Sequence, residues 1–217
     1  MLNFFKEVFK KGELRRKVVF TLGILFVFRL GAGIVIPYID TSAITSAATS
    51  SGIFGIMNML GGGTLEKFSL FSLGVSPYIT SSIIIELLSM DVIPALAQWN
   101  KEGNTGKKKK DKVTRVLTLA LAIIQGGSLT YAFDKGYSIL ASSSIWTYVY
   151  VVIVMAAGSM FTMWLGDQIT IKGVGNGTSL LIFTGIVANL PNSFISSFKS
   201  MVTFGSAYKT VTSLAWY

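Results

Sequence analysis

Residues 53–93 read IFGIMNMLGGGTLEKFSLFSLGVSPYITSSIIIELLSMDVI, and the break inside them decides the fold. The first apolar piece, 53–60, is only about 12 Å long as a helix and cannot cross a bilayer core of about 30 Å. Gly61, Gly62 and Gly63 interrupt it, and Thr64-Leu65-Glu66-Lys67 follow. A second apolar helix is predicted from about Phe71, with Pro77 inside its first two turns. A short re-entrant or interfacial helix followed by a full span has this pattern. Such broken segments line water-filled cavities or pores in channels and transporters. The plainer reading is an amphipathic helix resting on the outer interface.

The rest of the chain agrees with a membrane setting. Runs 68–85, 116–133, 136–166 and 173–198 carry no charge, and 18–39 is interrupted only by Arg29. Of 217 residues 51% are hydrophobic and only 13% charged, where a soluble domain has about 25% charged. Mean hydropathy is +0.61. Soluble core helices would need polar faces. The polar residues in these runs are mainly Ser, Thr and Gly, without charged stripes. The expected fold is therefore an all-α polytopic membrane protein. Its five spans fall at about 18–36, 71–93, 113–133, 145–166 and 178–190. The last is short, ending at Pro191, so it continues as a kinked helix or lines a cavity. Residues 192–217 are mixed in polarity and read as an extension or the approach to a sixth span. A cleaved signal peptide over 1–33 fits poorly, since Arg29 precedes the small residues and four more spans follow.

Fourteen of the 19 Lys and Arg fall on one side of this five-span arrangement. They precede the first span, fill the stretch between the second and third, and include Lys172. The positive-inside rule then puts the N-terminus in the cytoplasm. The basic loop, about 98–112, holds Lys101, Lys107, Lys108, Lys109, Lys110 and Lys112. Topology setting and attraction to anionic lipid account for it most simply. Docking to an acidic or RNA-rich partner is the next reading, ahead of direct nucleic-acid binding.

With no His and no Cys, a Ser-His-Asp hydrolase, thiol chemistry, disulfides and His- or Cys-ligated metals are excluded. Glu86 and Asp91 diverge by about 140° on a helix and do not form an acid/base pair. Asp167 is expected to be solvated at the mouth of the fourth span. Gly61–Gly63 lack the Lys-Ser/Thr pair of a P-loop. Gly175-Asn176-Gly177 reads as a tight turn that starts a helix. Arg29 lies about 16 Å along the first span, near mid-membrane, where a charge is costly and faces protein or water. Gln125 or carbonyls near Asn58 match its depth, and a structural clamp is favoured over a charged gate. No metal or cofactor is expected.

Four stretches carry a resemblance. Residues 70–88 read LFSLGVSPYITSSIIIELL, and 164–188 read WLGDQITIKGVGNGTSLLIFTGIVA. Residues 26–37 read FVFRLGAGIVIP, and 101–108 read KEGNTGKK. In this order, along almost the whole chain, they strongly resemble the SecY family. Its members form the central subunit of the bacterial protein-conducting channel. The resemblance implies one five-span half of a ten-span inverted repeat, closing like a clam around an hourglass pore with a lateral gate.

It further implies that Ile56, Met57, Asn58, Met59 and Leu60, with Gly61, Gly62 and Gly63 as hinge, match the plug. Val75 and Ile79 match the apolar pore ring on the second span. Ile182 matches it on the fifth, with Ile186 one turn on. Taken alone, the i, i+4 pairs are ordinary packing geometry. Protein translocation, no enzymatic activity and residence in the bacterial cytoplasmic membrane also follow from the resemblance. SecE, SecG, SecA and the ribosome are the implied partners of the full-length parent, with translocating polypeptides, signal sequences and lipid. An antiparallel homodimer of the isolated half is one expected assembly. The chain departs from the family at Ile171-Lys172, where an acidic-basic pair is common. Two rivals stay open at this point. One is a transporter half-domain binding a small solute at Arg29 and the broken helix. The other is a docking protein whose lysines recruit a cytosolic partner.

Overall fold

The computed structural model describes residues 12–40, 64–65, 67–90, 92–140, 144–188, 190–191 and 194–195. Six helices organise them: α1 (Gly12–Gly31), α2 (Ser76–Leu88), α3 (Pro94–Lys101), α4 (Asn104–Tyr137), α5 (Ile145–Lys172) and α6 (Gly177–Ala188). The described residues contain no strand, only two isolated bridges, Val35 with Ser69 and Ile39 with Leu140. Among the described residues, two helices are long and apolar enough to cross a membrane, Asn104–Gly136 and Ile145–Lys172.

Local chemistry sets the helix ends. Pro77 occupies the first turn of α2, where its missing N–H costs nothing. Pro94 starts α3 and holds Ile93 extended, at φ −116° and ψ 110°. α2 stops at Leu88, where the Ser89 N–H closes its last turn on the Ile85 and Glu86 carbonyls, so the apolar stretch predicted to span from 71 to 93 is helical over 13 residues only. Residues 71–75 wind as turns before it. Asn176 caps α6, its Oδ1 accepting the Ser179 N–H at 3.2 Å.

The basic segment differs from the loop expected over 98–112. Lys101 ends α3, a turn at Glu102 and Gly103 follows, and α4 begins at Asn104. Lys107 to Lys112 are therefore helical. Lysine is a good helix former, and the charges marked solvation rather than loop. Lys109 Nζ reaches Glu102 Oε2 at 2.8 Å across the turn.

Between α1 and α2 the chain is stapled on two sides. The Ile36 N–H donates to the Phe68 carbonyl at 3.1 Å, and the Leu70 N–H to the Ile34 carbonyl at 2.8 Å. The Asp40 N–H donates to the Ile139 carbonyl at 2.8 Å. Two apolar clusters result. One gathers Ile36, Phe68, Phe133, Ile139, Val151 and Met155 between the α1–α2 connection, α4 and α5. The other gathers Phe28, Phe71, Val75, Leu165, Ile169 and Leu181 between α1, α2, α5 and α6.

Candidate functional site

The second cluster holds the residues that the sequence singles out. Val75 sits at the N-cap of α2 and is only 7% exposed. The Ile79 N–H donates to the Val75 carbonyl at 3.0 Å, so the two side chains lie one turn apart on one face. Ile182 comes from α6. Ile79 and Ile182 are both half-buried against the cluster. The fold thus brings Val75, Ile79 and Ile182 from two distant segments to one apolar surface. Ile186 lies one turn further along α6, also half-buried. Beneath them Phe28 and Phe71 stack, with ring centroids 5.5 Å apart.

Hydroxyl groups hold this surface in register. The Ser159 hydroxyl donates to the Gly74 carbonyl at 3.1 Å, one residue before Val75. Beside it, Gly158 packs against the Leu70 carbonyl so closely that a Cβ would overlap it. On α6, the Gly177 N–H donates to Thr170 Oγ1 at 2.9 Å, and that hydroxyl donates to the Gly166 carbonyl at 3.0 Å. A Cβ at Gly177 would overlap the same carbonyl. From α1, Thr21 Oγ1 donates to the Lys17 carbonyl at 2.9 Å and accepts the Val174 N–H at 3.1 Å. The Val174 and Gly177 N–H groups, at the entry to α6 where no helical carbonyl reaches them, find their acceptors in this way.

The sequence reading assigned no role to Thr21, Ser159 or Thr170. Their signal was the Ser, Thr and Gly content of the apolar runs. Small and hydroxyl residues at such positions admit close backbone approach.

Other expected sites fall elsewhere. Arg29 occupies the last turn of α1 and is exposed on the described surface. A cation there complements the helix dipole. Ile56, Met57, Asn58, Met59, Leu60, Gly61, Gly62 and Gly63 lie outside the described residues. Lys107, Lys108, Lys109 and Lys112 are exposed on the first turns of α4. Asp167 is not simply solvated, because Arg115 Nη2 donates to its Oδ2 at 2.8 Å. At the other end of the same helix pair, Tyr148 donates its hydroxyl to the buried Asp134 carboxylate. The Leu140 N–H donates to that carboxylate at 3.3 Å.

Among the described residues, Val75, Ile79 and Ile182 make an apolar wall without fixed charge, presented by α2 and α6. Such a wall gives small ions no ligand and dewets when narrow.

Comparison with known proteins fits this geometry. The family described as SecY matches residues 69–216. Protein translocase subunit SecY 1 of Lactobacillus kefiranofaciens subsp. kefiranofaciens is 43% identical over 209 residues, covering 95% of this chain and 48% of that protein. The protein translocase subunit SecY of Bacillus subtilis is 40% identical over 212 residues, covering 97% and 47%. The chain spans about half the length of the curated relatives it matches. Two solved structures share the fold, each with TM-score 0.55 at 18% identity over 79% of this chain and 36% of theirs. One is Sec61 in the canine ribosome-channel complex from the endoplasmic reticulum, and the other is a protein-conducting channel.

Proposed function

This chain belongs to the SecY family, and from that premise we propose that it forms one side of a polypeptide-conducting channel in the bacterial cytoplasmic membrane. The observation that carries the reading is the meeting of Val75, Ile79 and Ile182 on one apolar cluster. In this reading they are half of a pore ring, with Ile186 completing the α6 side. The ring seals against ions because it offers no charge or ligand, and it yields to varied side chains because no contact in it is directional. Residues 56–63 act as the plug, and α2 with α4 form one side of a lateral exit for apolar segments.

The chain crosses the membrane five times with its N-terminus in the cytoplasm, following its charge distribution. It catalyses no covalent step. The driving force comes from SecA or a ribosome, and SecE and SecG join the complete assembly. Signal sequences and unfolded polypeptides are the cargo.

Photo-crosslinking from a stalled translocating chain tests this reading. A probe in the cargo is expected to label Ile79 and Ile182 and to spare the outward-facing Trp146, which is 78% exposed. Equal labelling of Trp146 and the ring positions, or labelling of neither ring position, would overturn it.

A further inference from the structure

α1 and α6 meet in an unusual way. Between them lies a groove of about 430 Å³, walled by Val18, Leu22 and Leu25 on α1 and by Ser179 and Leu180 on α6. The groove is open on its outer side and almost wholly apolar. At its edge the two elements are tied by the bond from the Val174 N–H to Thr21 Oγ1, across 153 residues of sequence.

Thr21 is 7% exposed. Its hydroxyl proton is already committed to the Lys17 carbonyl, so the oxygen is oriented as an acceptor. Val174 lies in the turn between α5 and α6, three residues before α6 begins. A second hydroxyl, Thr170, fixes the α6 start to α5. Together the two bonds define where α6 leaves the turn, and hence where Ile182 arrives.

We infer that Thr21 is a positioning residue: by accepting the Val174 N–H it registers α6, and with it Ile182, against α1 and the surface of Val75 and Ile79. The bond fixes the turn that leads into α6. What the registered surface does rests on the channel reading; the registration itself does not.

The chain contains no cysteine, so introduced pairs report cleanly. In the chain reconstituted in lipid, Ile79→Cys with Ile182→Cys is treated with a short bifunctional thiol reagent. Thr21→Val keeps the shape and removes the acceptor, and it is expected to slow this crosslink roughly two- to tenfold, the range set by one lost buried hydrogen bond. Thr21→Ser keeps the acceptor and is expected to restore the rate. A control pair, Arg115→Cys with Asp167→Cys, replaces solvent-accessible side chains that meet at 2.8 Å between α4 and α5. It should crosslink equally in all three backgrounds.

An unchanged Ile79–Ile182 rate in Thr21→Val would overturn the inference, as would an equal loss in Thr21→Ser. So would a parallel loss at the control pair, which would make Thr21 a general fold element. No cargo is translocated in this measurement, so its outcome is separate from that of the cargo photo-crosslinking.

Discussion

Ser159 on α5 donates its hydroxyl to the carbonyl of Gly74, and the next residue of the chain is Val75. The turn that launches α2 is thereby fixed to the middle of a membrane-length helix. Ser159→Ala should cost about 1 kcal/mol, the usual net worth of one such bond. Gly158→Ala should cost more, about 1–3 kcal/mol, because its Cβ meets the Leu70 backbone rather than a movable side chain. Thermal unfolding of both variants in detergent checks the order. A Gly158→Ala protein as stable as the parent would refute the close packing.

The two ends of the α4–α5 pair should respond differently. The Arg115 and Asp167 side chains are 55% and 28% exposed, so a double-mutant cycle should return only about 0.2–1 kcal/mol. An Arg115→Asp, Asp167→Arg exchange should recover most of the loss. A coupling well above that range would mean that the pair is screened from solvent.

Tyr148→Phe should be more damaging. It removes a donor from the Asp134 carboxylate, which is 9% exposed. Chemical unfolding should show a larger loss for Tyr148→Phe than for Asp167→Asn. The reverse order would count against the Tyr148–Asp134 bond.

Lys107, Lys108, Lys109 and Lys110 stand in the first turns of α4, where the helix dipole is positive. Lys107 closes the first turn and is unfavourable by roughly 0.3–1 kcal/mol at low ionic strength, and Lys108 to Lys110 add like-charge repulsion one turn on. Lys107→Glu with Lys108→Glu should therefore stabilise the protein in low salt. The gain should fade in about 1 M salt, where the screening length falls to about 3 Å. Salt-independent melting of the double variant would contradict the electrostatic account.

Much of the fold could be read directly from sequence because its determinants are local. Uncharged runs marked the apolar bodies of α4 and α5, and Asn176 between two glycines marked the start of α6. Pro77 carried the true start of α2 and Pro94 that of α3, but hydropathy alone overran the first, since 71–75 are as apolar as the helix they precede. The helical state of Lys107 to Lys112 was hidden because charge reports solvation, not backbone conformation. Val75, Ile79 and Ile182 were legible as candidates through the resemblance, and only the packing shows that they meet. The latches were the least legible. A Thr in an apolar helix has the same sequence signature whether its hydroxyl serves only its own i−4 carbonyl or, like Thr21 and Thr170, also an N–H of another segment.

The continuity of α4 has a mechanical consequence. Its 34 residues form a rod of about 51 Å. The nine residues before Val113 extend about 13 Å beyond the apolar part. No proline interrupts the rod between Asn104 and Tyr137. A load applied at the lysine end acts through a lever arm. Arg115 and Asp134 tie the rod to Asp167 and Tyr148 near the two ends of α5, so a displacement of the lysine end is shared with α5, and Gly126-Gly127-Ser128 is where the rod bends most readily.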